Sequence, residues 1–93
     1  MAWVEETLAS LSLREAIGQL IHPWMSGAYA PEDGPEMEEF GRYAREGSIG
    51  GVVISIGLPH SYGAKLNVLQ ERARVPLLVS SDFENGGPGM RIN

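Results

Sequence analysis

Apolar positions along the chain change their spacing in a way that predicts helices alternating with short strands. The first stretch carries two stripes of apolar residues with the spacing of a helical face, one formed by Val4, Leu8 and Leu11 and the next by Leu13, Ile17, Leu20 and Ile21. Ser12 and Glu15 form a capping-box pattern within it, which predicts the start of a helix. The apolar segment 20–25 predicts a first strand, although Pro23 cannot donate to a regular ladder.

The middle of the chain predicts a helix followed by a buried strand. Pro35 marks the start of this helix and Gly47 marks its end. Acidic residues in the first turns and Arg45 in the last turn complement the helix dipole. The run 52–56 is continuous and mostly β-branched, and Gly57 ends it. Such runs are typical of parallel strands that are buried on both faces.

The last third predicts one more helix and one more strand. A helix is expected over about 61–74 and a strand over 77–81, with Pro76 between them. The strands start roughly 25–30 residues apart, which suits right-handed βαβ crossovers. The predicted class is therefore α/β with a parallel sheet of β/α units. Three such strands leave bare edges, so the chain is expected to be part of a larger fold.

Charge and composition narrow the function classes. The net charge is −5, and no basic face can be drawn, which argues against a nucleic-acid binder. No apolar stretch approaches the ~20 residues of a membrane span, and no signal peptide is visible, so the compartment stays open. The absence of cysteine excludes thiolate metal ligands, and the two histidines lack a zinc spacing. Neither a metal nor a cofactor is predicted.

Candidate chemistry is concentrated in the glycine-rich segment 80–91. Asp82 follows the third strand, at the edge where parallel α/β folds bind ligands. Glu84 lies two residues later and would project to the same side of an extended backbone. The two carboxylates could bind hydroxyls, hold a metal or act as acid and base. They could equally satisfy amides of the turn itself.

Three aromatic side chains are weaker candidates. His22 lies near the end of the first predicted strand, where a core or rim role is favoured. His60 opens the third helix, and a helix-start role is favoured over a place at a pocket mouth. Trp24 could stack on a sugar ring, but packing in the core is favoured.

Four blocks in order give the chain a family resemblance. Residues 11–20 resemble the opening helix of the N-terminal barrel domain of family 3 glycoside hydrolases, the group of β-glucosidases and β-N-acetylhexosaminidases. Residues 45–53 resemble the block around the glycine pair before the second strand, and residues 66–79 resemble the third helix and strand. Asp82, Glu84 and Gly86 match the family's D-x-E-x-G turn.

This resemblance implies a fold, an activity and a site. The fold would be a TIM-like (β/α)8 barrel, of which residues 1–93 form an N-terminal, incomplete part. The activity would be that of a retaining exo-acting β-glycosidase of carbohydrate metabolism, acting on a β-linked glucoside or N-acetylglucosaminide. Asp82 would hydrogen-bond sugar hydroxyls, through charge-assisted bonds that are stronger than neutral ones. Arg91 resembles the arginine that closes the motif, one residue further along than usual.

The same resemblance assigns no catalytic residue to this chain. The family's nucleophile and acid/base would lie outside residues 1–93, so these residues alone are expected to be inactive. An alternative function is a non-catalytic α/β domain that binds a ligand or partner through its strand-end loops. A doubly wound nucleotide-binding domain is disfavoured because no phosphate-binding glycine loop is present.

Overall fold

A computed structural model describes residues 2–82, in which helices and strands alternate. The elements are α1 Ala2–Ser10, α2 Leu13–Gly18, β1 Trp24–Gly27, α3 Pro35–Glu46, β2 Gly51–Gly57, α4 Pro59–Arg72 and β3 Leu78–Ser80. The predicted order of helices and strands is confirmed. Within this part of the chain, no helix has the length and apolar character needed to cross a membrane.

The three strands form one parallel sheet in the order β1-β2-β3. Trp24 pairs with Val53, and Val53 in turn pairs with Ser80. The prediction of an α/β fold built from parallel β/α units is confirmed.

The helix ends follow the signals in the sequence. Ser12 Oγ accepts from the Glu15 amide at 3.1 Å, and the Ser12 amide donates to Glu15 Oε1 at 2.9 Å, so the predicted capping box is present. Helix α3 begins at Pro35 and ends at Gly47, whose φ of 71° is left-handed. Glycine adopts this conformation without the steric cost that a Cβ atom brings.

Helices α3 and α4 cover the same face of the sheet. Met25 of β1 and Ile54 of β2 are register partners, so they lie on one face, and both are buried. Met37 of α3 and Leu69 of α4 belong to the same core cluster. Burial of such side chains contributes about 1.5–3 kcal/mol each.

The opposite face of the sheet is called here the open face, and it carries Trp24, Ser26, Val53, Ser55, Leu78 and Ser80 by register and alternation. On it, Trp24 is 55% exposed and Leu78 is 68% exposed. Of the β2 residues on this face, Val53 and Ser55 are only half-buried, so the prediction that the second strand is buried on both faces is wrong for the described residues. Trp24, for which packing in the core is favoured, is exposed in this part of the chain.

The first strand begins later than predicted. Leu20 and Ile21 form the turn after α2 and are exposed, and β1 starts only at Trp24. Pro23 explains the shift, because it has no N–H to donate to the ladder. Its carbonyl still accepts from the Val53 amide at 2.9 Å, which anchors the chain at the start of β1.

Candidate functional site

The edge where the parallel strands end, the carboxyl edge, carries a row of polar residues on the open face. Ser26 and Ser55 are register partners near the ends of β1 and β2. Val53 pairs with Ser80, the last residue of β3, and Asp82 follows two residues later, so Asp82 lies at the same edge of the sheet as Ser55. Ser26, Ser55 and Asp82 are called the polar row. Ligands of parallel α/β folds bind at this edge.

Two members of the polar row have side chains with no hydrogen-bond partner among residues 2–82. Asp82 is exposed, and within the described part of the chain its carboxylate makes no hydrogen bond or ion pair. Ser55 is partly exposed, and its hydroxyl is likewise unpaired among residues 2–82. The Ser26 hydroxyl, in contrast, accepts from the Ala28 amide at 3.1 Å. A carboxylate beside a free hydroxyl suits a ligand that is rich in hydroxyl groups.

A third hydroxyl near Asp82 is buried. Ser81 Oγ has no hydrogen-bond partner among the described residues, although the atom is shielded from solvent. A buried hydroxyl without a partner costs about 1–3 kcal/mol. The segment that leads into Asp82 therefore contains an unsatisfied polar group directly before the predicted binding residue.

A bulge distorts the sheet at the end of β1 and β2. The register shifts between Ser26 and Gly27, and Ile56 is the additional residue of β2. Ile56 has a φ of 58°, a left-handed conformation that is rare for a β-branched residue. A Cβ atom on Gly57 would overlap the backbone of Gly27, so this close approach requires glycine. Bulges and strained residues of this kind are frequent beside functional sites.

The only lysine in the chain holds the end of β1 in place. Lys65 of α4 is 3% exposed, and its ammonium group donates to the Ser26 carbonyl at 2.7 Å and the Ala28 carbonyl at 2.9 Å. It also pairs with Glu36 Oε1 at 2.8 Å. All three protons of the ammonium are used. Lys65 thus ties α4 to the strand end and to the first turn of α3.

A cavity of about 320 Å³ lies on the helix side of the same edge. Its lining includes Tyr29, Met37, His60, Lys65 and Val68. The volume is at the lower limit for small-molecule sites. Because the polar row lies on the open face and this cavity lies between helices, they are two separate features.

The other predicted candidates occupy different parts of the fold. His60 is in the first turn of α4, which confirms its helix-start position. His22 lies before β1 rather than at its end, and its ring contacts the position of Gly51, where β2 begins. It is therefore at the amino edge, away from Asp82. Glu84 and Arg91 lie outside the described residues.

The sequence predicts Asp82 as a site residue but gives no signal for Ser55, Ile56 or Lys65. Only the strand pairing shows that Ser55 lies at the same edge of the sheet as Asp82, and a strand-internal serine carries no signal of its own. The hydrogen bonds from Lys65 to the Ser26 and Ala28 carbonyls join residues 39 and 37 positions apart in the chain, and local sequence patterns do not predict contacts over such separations. Residues 2–82 contain no cluster of three or more His, Cys, Asp or Glu residues that could hold a metal ion.

No protein-family model matches the chain, and the search of curated proteins gives no significant match.

Proposed function

We propose that the chain is the N-terminal part of a family 3 glycoside hydrolase barrel and contributes Asp82 to the sugar site of a retaining exo-acting β-glycosidase. The observation that carries the proposal is the position of Asp82. Its carboxylate, which pairs with no group among residues 2–82, follows β3 at the carboxyl edge and begins the segment that resembles the family's D-x-E-x-G motif. A β-linked glucoside and a β-linked N-acetylglucosaminide are the two substrate classes.

The strand order is compatible with a barrel, and one half of a doubly wound sheet shares it. In a complete doubly wound fold the strand order reverses between two such halves, and helices cover both faces of the sheet. Here the order is sequential, and Met37 of α3 and Leu69 of α4 share one core on one face. Sequential parallel strands with every crossover helix on the same side are what a (β/α)8 barrel requires. The open face would then line the barrel interior.

Asp82 would act by binding and orienting the sugar. A carboxylate can accept hydrogen bonds from two adjacent hydroxyls, and bonds that strengthen as the ring distorts lower the barrier. The nucleophile and the acid/base would come from outside residues 1–93, about 5–5.5 Å apart as retention demands. Asp82 is therefore assigned to neither of these two roles.

The test is the steady-state kinetics of the full-length protein on aryl β-glucosides and aryl N-acetyl-β-glucosaminides. We expect hydrolysis with retention of anomeric configuration. Asp82→Ala should lower kcat/KM about 100-fold or more, because two charge-assisted hydrogen bonds are lost. Asp82→Asn keeps the shape of the side chain but removes its charge, so its kcat/KM should lie between those of the unsubstituted protein and Asp82→Ala.

Glu71→Ala is the matched control, since Glu71 is an exposed carboxylate in the last turn of α4, at the opposite end of the same β/α unit. Its kinetics should equal those of the unsubstituted protein. Near-normal turnover by Asp82→Ala would rule out the sugar-binding role. Binding of these sugars without hydrolysis by the full-length protein would instead favour a non-catalytic ligand-binding domain.

A further inference from the structure

We propose that Ser55 is a second substrate-binding residue, whose hydroxyl binds the same sugar as Asp82. This inference rests on the proposed function and deepens it, because it adds a residue that the family resemblance does not assign. Three observations carry it: the register of the strands, the unpaired state of the Ser55 hydroxyl and the rigid bulge that follows Ser55.

The register brings the two side chains within reach of one ligand. Adjacent strands lie about 4.8 Å apart, and register partners project to the same face. Ser55 is two residues beyond Val53, as Asp82 is two residues beyond the Val53 partner Ser80. Continued over two more residues, this register would place both groups within reach of a single sugar ring at the carboxyl edge.

The Ser55 hydroxyl has its full hydrogen-bonding capacity available. Within residues 2–82 it contacts no partner, whereas its neighbour in the polar row, Ser26, already accepts from the Ala28 amide. A hydroxyl can donate one hydrogen bond and accept two. Ser55 therefore complements Asp82, whose ionised carboxylate only accepts.

The backbone around Ser55 is fixed in advance of binding. Ile56, the next residue, is held at a φ of 58°, and the close approach of Gly57 to Gly27 fixes the bulge. Lys65 holds the carbonyl of Ser26, the register partner of Ser55. Strain of this kind persists only where the surroundings impose it, and it is concentrated at ligand sites. A preorganised donor loses less entropy on binding.

The experiment measures kcat/KM of the full-length protein on the aryl glycoside that it hydrolyses, the β-glucoside or the N-acetyl-β-glucosaminide, and on monodeoxy derivatives that each lack one hydroxyl. Ser55→Ala should lower kcat/KM for the parent glycoside about two- to ten-fold, the effect of one neutral hydrogen bond. With the derivative that lacks the contacted hydroxyl, Ser55→Ala should have no effect. Ser55→Thr keeps the hydroxyl and should retain most of the activity.

The control is Ser61→Ala, since Ser61 lies at the same edge of the sheet but in the helical layer. It should leave every kcat/KM unchanged. The inference is overturned if Ser55→Ala reduces kcat/KM equally on all derivatives, which would indicate a structural effect, or on none. Thermal unfolding checks the fold, and the midpoint of Ser55→Ala should match that of the unsubstituted protein.

Failure of this inference can be distinguished from failure of the proposed function. If the full-length protein hydrolyses either aryl glycoside in an Asp82-dependent way, but Ser55→Ala is neutral, only the role of Ser55 is wrong. If neither the aryl β-glucoside nor the aryl N-acetyl-β-glucosaminide is hydrolysed, or hydrolysis does not depend on Asp82, the proposed function fails and the role of Ser55 fails with it.

Discussion

Ile56 combines a β-branched side chain with a backbone conformation that suits glycine. Its φ of 58° costs about 1–2 kcal/mol in an L-residue. We therefore expect Ile56→Gly to have a higher free energy of unfolding than Ile56→Ala, by about 1 kcal/mol. Both variants lose the same apolar branches, so their difference isolates the backbone. Denaturant unfolding of the two variants measures it.

The matched pair for this test is at Val53, in the regular part of β2. There Val53→Gly should be less stable than Val53→Ala by about 0.5–1 kcal/mol, because glycine loses more backbone entropy on folding. The difference in free energy of unfolding between the glycine and the alanine variant should therefore have opposite signs at positions 56 and 53. If glycine is the less stable choice at both, the strain at Ile56 is refuted.

At the residue scale, the features that depend on near neighbours along the chain could be predicted from the sequence. The Ser12 and Glu15 cap, the stop at Gly47 and the position of Asp82 after a strand were predicted because each is a local signal. The conformation of Ile56 was not, because β-branched residues locally disfavour a positive φ. Tertiary contacts impose this conformation of Ile56, and no short sequence pattern predicts those contacts.

At the scale of elements, Lys65 joins one helix to the end of a strand and the start of another helix. Lys65→Met should lower the free energy of unfolding by about 3 kcal/mol. The cause is that the Ser26 and Ala28 carbonyls and the Glu36 carboxylate lose their shared donor. Chemical denaturation measures the change, and a loss below about 0.5 kcal/mol would contradict it.

Glu36→Gln serves as the comparison variant. It keeps an acceptor oxygen for Lys65 and removes only the charge, and the Glu36 side chain is 36% exposed. Glu36→Gln should lower the free energy of unfolding by clearly less than Lys65→Met does. An independent readout is available because Lys65 is the only lysine. Acylation of its amine should be slow in the folded protein and fast after denaturation.

Element order could be predicted, whereas the burial of faces could not. The helix 35–46 and the strand 52–56 were predicted close to their observed bounds, because caps and β-branched runs are dense there. Two-sided burial was inferred for that strand from its apolar run alone. The run does not distinguish a face covered by helices from one left open, and only Val52 and Ile54 lie fully in the core.

At the scale of the molecule, apolar side chains remain exposed in several regions of the described structure, and two of these regions bear on self-association. One is the open face of the sheet, with Trp24 and Leu78. The other is the stripe on and after α2, where Leu13 is 79% exposed and Leu20 is 82% exposed. Monomeric proteins rarely expose contiguous apolar patches of more than a few hundred Å². The 93-residue chain, studied on its own, is therefore expected to self-associate.

Sedimentation velocity over a wide concentration range tests this expectation. The double variant Leu13→Glu/Leu20→Glu should shift the distribution towards the monomer, because it removes apolar area and adds two negative charges. Arg14→Glu, on the same short helix, changes the net charge by the same amount but leaves the apolar stripe intact. If apolar contact drives association, Arg14→Glu should still self-associate. Equal dissociation of both variants would assign the effect to charge repulsion, and a concentration-independent monomer of the unsubstituted chain would refute the expectation altogether.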